Sequence, residues 1–243
     1  MRILALDSST AVSSVAVSGP GLPSGGIESS RIDARRHAEA IPVLLREVLD
    51  AAGLRPADLD LVACGVGPGP FTGLRVAIAT AVTFAEARGI PVVGACSLDV
   101  IARGVIARGA SDGGGPLVVV TRARRAEVNW AAYDASGRRL AGPRVEPALG
   151  FEVPPGARVV GDVEGVEPAY LSALTLARLV EERFDAGEGL PEGVAVPEGD
   201  ADSSGEPGAR ALLERIEGDR WLLPALPLYL RRPDAVPPAG MLR

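Results

Sequence analysis

The residues best suited to chemistry fall in a few short stretches. Asp7-Ser8-Ser9-Thr10 sets a carboxylate and three hydroxyls directly after an apolar run. A carboxylate there could help hold a metal-bound phosphate. It could equally be a turn former bonded to backbone N–H groups. Gly65, Gly67, Gly69 and Gly73, with Pro68 and Pro70 between them, form a turn from a short apolar run into a long helical one. Glycine opens backbone angles closed to other residues, and proline stiffens the path. Backbone N–H groups at the helix start could hold an anion such as a nucleotide phosphate; the same turn could do no more than dock strand to helix. It is not the dinucleotide fingerprint, because Pro70 stands where the third glycine belongs. It is not a P-loop either, since that motif needs lysine and the chain has none.

Other stretches are weaker. Gly109-Ala110-Ser111-Asp112-Gly113 matches the G-x-S-x-G pattern, which needs a strand before it and a helix after it. Here a helix is expected before and a strand after, and the single histidine, His37, lies upstream. Ser111 is therefore expected to be inert linker. His37 sits two residues before Glu39 at a helix start, with no second His or Cys nearby to share a metal. It reads as a capping or surface residue, with a lone catalytic base as the alternative. Arg122, Arg124 and Arg125, near Arg138, Arg139 and Arg144, could meet a phosphate or simply decorate a solvated hairpin. Cys64 and Cys96 lie far apart in apolar runs and read as buried small hydrophobes.

Patterning supplies the elements that must position these groups. Arg2 to Leu6 and Ser13 to Ser18 read as a hairpin, and Ile27 to Ala34 as a third strand. A helix is predicted from His37 to Ala52, closed by Gly53, with Pro42 in its first turn. A strand from Leu61 leads through the glycine turn, with Thr72 or a neighbour as cap, into the helix Phe71 to Arg88. Pro91 to Ser97 is a strand and Leu98 to Arg108 a helix. Gly109 to Pro116 is a linker by composition. Strands then follow at Leu117 to Val120, Val128 to Tyr133 and Ala157 to Val160, with a helix from Pro168 to Phe184. Ala186 to Gly208 is rich in Gly, Pro, Glu, Asp and Ser and is expected to be disordered; a short helix is expected near Ala209 to Ile216.

Three strands, helix, strand, helix, strand, helix is the order of an α/β lobe of the ribonuclease H type. The second half opens as the first does, which suggests a duplicated lobe. Two such lobes, 1–108 and 117–243 about the linker 109–116, make the actin-like ATPase (ASKHA) architecture. In that architecture Asp7 would face a nucleotide, and the second lobe should supply a glycine-rich adenosine site. Only Val160-Gly161-Asp162 is present, so the nucleotide site looks incomplete.

From Leu74 to Ala87 the helix Phe71 to Arg88 is apolar around nearly its whole circumference, broken only by Arg75, Thr80, Thr83 and Glu86. A surface helix should show one apolar stripe and one polar face, so a second cover is expected. Part of Thr72, Arg75, Val76, Ala79, Thr80 and Thr83, with Ile41 and Leu45 of the preceding helix, is the expected partner face. Alone, the chain is expected to form a weak two-fold homodimer there.

Composition narrows the classes. The chain has 243 residues, 47% hydrophobic and 23% charged, with a net charge of −6 that argues against a large phosphate-binding surface. Aromatics are only 4%, too few for a platform that stacks single-stranded nucleic acid. All 25 Lys+Arg residues are Arg, which removes Schiff-base chemistry. The first residues enter a strand with no signal-peptide pattern, and no apolar run is long enough to span a bilayer; a cytoplasmic location is expected.

The segments ILALDSST, RRHAEAIPVLL, GVGPGPFTGLRVAIATA, GACSLDVIA, ARRAEVNW and LPLYLRR occur in an order that resembles the bacterial TsaB family of tRNA threonylcarbamoyladenosine biosynthesis proteins. The resemblance spans nearly the whole chain, and GPGPFTGLR is its most specific part. It implies a cytoplasmic, two-lobed, catalytically silent relative of the transferase subunit TsaD, which binds the metal and modifies adenosine next to the anticodon. It also implies a heterodimer with a TsaD-like subunit, joined by a TsaE-like ATPase, with tRNA reached only through the complex. No cofactor is implied as required, though a nucleotide at the partner interface fits the resemblance. Catalytic relatives carry His-x-x-x-His after the strand that here is Pro91 to Ser97; alignment on Gly94 puts Ser97 and Ile101 there, so no metal site is expected. Arg122-Ala123-Arg124 departs from the family's Asp-Ala-Arg, and Asn129 from its Tyr. A stand-alone hydrolase or ATPase of the actin-like fold is the alternative function.

Overall fold

The computed structural model describes residues 1–33, 35–109, 115–124, 126–149, 151–191 and 221–230. Its first sheet contains β1 (Ile3–Asp7), β2 (Val12–Ser18), β3 (Gly26–Ile32), β4 (Leu61–Gly65) and β5 (Val92–Ala95), in the order β3-β2-β1-β4-β5. The β1–β2 and β2–β3 pairs are antiparallel; β1–β4 and β4–β5 are parallel. β1 and β4 are buried along their whole length, as continuous apolar strands must be when both faces are covered. Helices α1 (His37–Ala52) and α2 (Phe71–Arg88) pack side by side on this sheet. Helix α3 (Ser97–Ala107) follows β5, and α4 (Ala173–Asp185) packs on β1, β2 and β4 beside α3.

The second sheet holds β6 (Leu117–Arg122), β7 (Glu127–Tyr133), β8 (Arg139–Pro147), β9 (Arg158–Gly161) and β10 (Glu167–Pro168), in the order β10-β9-β6-β7-β8. Strand by strand this repeats the first sheet, two antiparallel pairs followed by two parallel ones. The echo seen in the sequence is thus a duplicated ribonuclease H-like sheet, and the fold is a two-lobed α/β architecture of the actin-like kind. The copies are dressed differently. Among the described residues no helix joins β8 to β9 or β9 to β10, where α1 and α2 stand in the first lobe. A smaller apolar cluster around Trp130 lies there instead, with Phe151 against the indole at 5.3 Å between ring centroids.

Chain beyond the linker contributes to both lobes. α4 lies against the first sheet, and the segment 221–230 returns to it. Gly94 and Leu223 exchange backbone hydrogen bonds as an antiparallel bridge, and the Leu228 N–H donates to the Val66 carbonyl at 2.7 Å. Glu188, just after α4, accepts from the N–H groups of Trp221 and Leu222. Ala34, residues 110–114 of the linker, and 192–220, with most of the expected disordered stretch and the short helix, lie outside the described residues.

Several local expectations are corrected. Pro42 lies in the second turn of α1, because the helix begins at His37 with Arg36 as N-cap. The bond it denies falls on the Ala38 carbonyl, on the exposed side of the helix where water can serve. Thr72 does not cap α2: the N-cap is Pro70, no side chain caps it, and Thr72 is exposed. β8 escapes the sequence pattern because Gly142 and Pro143 interrupt it; among the described residues it pairs only with β7, and an edge strand tolerates proline.

Candidate functional site: the Asp7 loop, the glycine turn and the α2 face

Asp7, which ends β1, and Ser8, Ser9 and Thr10 after it are all buried. Asp7 Oδ1 accepts from the Ser9 N–H and the Ser9 hydroxyl, both at 2.8 Å. Its other oxygen, Oδ2, accepts from the Ser97 hydroxyl at 2.9 Å. That hydroxyl in turn accepts from the Gly67 N–H at 3.0 Å, while the Ser97 N–H donates to the Gly67 carbonyl at 2.8 Å. The Ser8 hydroxyl donates to the Gly73 carbonyl at 2.6 Å. The loop after β1, the glycine turn and the start of α3 are therefore one closed network.

The glycines make this closure sterically possible. A Cβ on Gly65 would strike the Asp7 carboxylate, one on Gly69 the Ser9 backbone, and one on Gly73 the Ser8 carbonyl and the His37 ring. Gly67 adopts φ +94°, a region where glycine is unstrained. Of the proposed anion contacts, Asp7 and Gly67 are committed to internal partners, and Gly69 and Gly73 admit the chain's own loop. The turn packs protein against protein.

Burial raises the Asp7 carboxyl to about 6, against the opposing pull of its bonds from Ser9 and Ser97. Cys64 is pushed well up by burial and Cys96 up to about 12, as expected of unreactive thiols. His37 is not a surface residue. It is buried, its Nδ1 lies 2.7 Å from the Ser13 hydroxyl, and burial holds its imidazole below the usual histidine range, with the Asp33 charge opposing.

Ser97 and Ile101 occupy the first and second turns of α3. The Ser97 hydroxyl is engaged by Asp7 and Gly67, and Ile101 is in the core. A hydroxyl so bonded and an aliphatic side chain do not fit a transition metal that demands imidazole, thiolate or carboxylate ligands.

The arginine cluster resolves into separate roles. Arg139 is a buried ion-pair partner of Asp99, which also accepts from the Tyr133 hydroxyl at 2.7 Å. This triad ties α3 to β7 and β8, and burial with the neighbouring Asp99 charge raises the Tyr133 phenol well above its usual value. Arg138 bonds Asp134 in its own turn. Arg122 has an exposed side chain and donates its N–H to Asp162 at 2.7 Å, while Arg144 is exposed. Arg125 and Ser111 lie outside the described residues. The Asp99 triad is invisible in the sequence because its members stand 34 and 40 residues apart with no motif linking them.

α2 buries Gly73, Leu74, Ala77, Ile78, Ala81 and Ala85. On the opposite side Thr72, Arg75, Ala79 and Thr83 are exposed, at spacings of three, four and four, which puts them on one face. Val76 and Thr80 flank that face half-buried, the Thr80 hydroxyl donating to the Val76 carbonyl at 2.7 Å. Leu45 of α1 is half-buried. Ile41 is wholly inside the core, where it cannot meet a partner. Among the described residues, the helix apolar all round thus leaves this face open.

Residues 21–162 match the family model described as TsaD: tRNA N6-adenosine threonylcarbamoyltransferase. An uncharacterized protein of Mycobacterium tuberculosis is 39% identical over 211 residues, which is 86% of this chain and 82% of that one. The tRNA threonylcarbamoyladenosine biosynthesis protein TsaB of Escherichia coli is 32% identical over 133 residues, 55% of each chain. The solved structure of YeaZ from Pseudomonas aeruginosa matches with a TM-score of 0.66 at 26% identity, covering 78% of this chain and 96% of that one. No described helix is long and apolar enough to cross a membrane. With a family match covering more than half its length and strands of both sheets, the chain belongs to the TsaD family and is a TsaB-like member of it.

Proposed function

We propose that this chain is a non-catalytic subunit of the machinery that makes threonylcarbamoyladenosine in tRNA, and that it supports a TsaD-like transferase by docking through the α2 face. The role in this pathway follows from the family. The non-catalytic assignment rests on one observation above all: at the α3 start, where catalytic relatives carry two histidines, the Ser97 hydroxyl is bonded to Asp7 and Gly67, and Ile101 is core. In this reading transfer, metal and nucleotide belong to the TsaD-like and TsaE-like partners. In the exposed strip, Thr72, Ala79 and Thr83 have small side chains that permit close helix approach. Without the partner, the same strip would pair with a second copy.

Threonylcarbamoyl transfer to tRNA should be absent with this chain alone and should rise when it is added to its TsaD-like subunit. Ala79→Arg would bury an unpaired charge at the interface, at a cost on the order of several kcal/mol, and should abolish both complex and stimulation with the monomer still folded. ATP turnover or transfer by the isolated chain would overturn the non-catalytic reading. An intact complex with the Ala79 variant would place docking elsewhere.

A further inference from the structure

The segment Trp221–Leu230 crosses the first lobe and ends on the exposed helix. After its bridge to Gly94 and its bond to Val66, Tyr229 stacks on Phe71 in the first turn of α2, ring centroids 5.4 Å apart. Arg75, one turn further on, lies with its guanidinium carbon 3.7 Å from the Phe71 centroid and 5.9 Å from that of Tyr229. Its Nε donates to the Tyr229 hydroxyl at 2.8 Å. Among the described residues this is the guanidinium's one hydrogen bond, so both terminal amino groups keep donors for another molecule. Arginine is a flexible side chain, yet here a ring, a second ring and a hydroxyl hold it in one pose.

We infer that Tyr229 is a positioning residue for docking: the C-terminal strap fixes Arg75 on the α2 face so that its guanidinium meets a carboxylate of the TsaD-like partner. The inference rests on the docking reading above. The chemistry of the contact follows from the strip itself, in which Arg75 is a cation among neutral Thr72, Ala79 and Thr83. A guanidinium carried into an interface needs an anion there, and its planar fork matches a carboxylate with two parallel bonds. Prior ordering removes an entropic cost that binding would otherwise bear.

Calorimetric titration of the full chain with its TsaD-like subunit tests this. Arg75→Ala should weaken the complex about tenfold and Tyr229→Ala by a similar factor. Tyr229→Phe, which keeps the ring and loses the hydroxyl, should fall between that variant and the parent. The double variant should bind no worse than Arg75→Ala, and both arginine-lacking proteins should lose part of the salt dependence. If Tyr229→Ala weakens binding equally with Arg75 present or absent, Tyr229 is merely structural and the inference is overturned. Should Tyr229→Ala fail to fold, the same cycle run with Tyr229→Phe decides. Ala79→Arg separates the layers: if it leaves affinity unchanged, the docking reading itself fails. If it abolishes binding while the Arg75 and Tyr229 variants bind as the parent does, only the strap inference fails.

Discussion

Replacing Asp7 by asparagine should make the variant more stable than the parent at neutral pH and less stable at acid pH, so that their stability curves cross. The Asp7 carboxyl stands at about 6 in the fold against 3.8 for an unperturbed aspartate, because burial penalises its charge more than Ser9 and Ser97 relieve it. A raised acid binds protons more readily folded than unfolded. Its favourable contribution is therefore complete below pH 3.8 and is lost as pH climbs through about 6. Holding the charge at pH 7.5 costs about 3 kcal/mol. The asparagine side chain removes that cost and can keep both bonds from Ser9. Its amide would face a Ser97 hydroxyl that already accepts from Gly67, leaving the hydroxyl proton without its acceptor, at about 1 kcal/mol. The net expectation is a variant more stable than the parent by about 1–2 kcal/mol at pH 7.5 and less stable by about 1 kcal/mol near pH 4. Urea unfolding of both proteins across this range measures it. Taking the difference between them cancels His37, whose lowered imidazole destabilises the fold as pH falls below its usual value. If the curves do not cross, and Asp7→Asn is the weaker protein at pH 7.5 as well, the carboxylate is stabilised where it sits and the account of the network is wrong.

Two further outcomes test the packing. Gly69→Ala should lower stability by about 1–3 kcal/mol, because its Cβ would meet the Ser9 backbone, with Cα and carbonyl carbon 2.9 Å away; an unchanged urea midpoint would show that the loop is not held tightly against the turn. Asp99→Ala should cost about 3–5 kcal/mol by leaving Arg139 buried and without its carboxylate, whereas Tyr133→Phe should cost only about 1 kcal/mol; equal losses in the two variants would contradict the assignment of the ion pair as the main term.

Much of the first lobe was legible in the sequence, because its strands are continuous apolar runs and its helices end at clear signals. Gly53 and Gly89 both adopt the left-handed conformation of a helix C-cap. The second lobe was harder to read. β8 carries Gly142 and Pro143, and β10 is two residues long, so neither shows a strand period. The destination of α4 was invisible too, since its apolar stripe says only that one face is buried and not against which sheet. Within the site, residue types were readable but their commitments were not. Asp7, Ser97 and Gly67 meet through bonds spanning 90 and 30 residues, and no local pattern distinguishes a glycine turn that receives a ligand from one that receives its own chain. Arg75 was placed on the exposed face, while its partner Tyr229 lies 154 residues away.

The same arrangement accounts for both the closed site and the open surface. A serine hydroxyl has one proton to donate; at Ser97 it goes to Asp7, and the hydroxyl also receives the Gly67 N–H. Asp7 spends one oxygen on Ser9 and the other on Ser97. Groups that satisfy one another in a buried network could turn to a ligand only after breaking bonds whose loss leaves polar atoms unpaired, which is costly in a low dielectric. That closure also anchors the start of α2, since Ser8 bonds Gly73 and the loop packs on Gly69. Its first turn is held from below by the loop and from the side by Tyr229, and beyond Arg75 the exposed face carries the small residues Ala79 and Thr83. Rigidity is what a docking helix needs, because a surface already ordered loses little entropy when its partner arrives. The network that engages Asp7 and Ser97 is therefore the one that, on the proposed docking reading, orders the start of α2 for a partner.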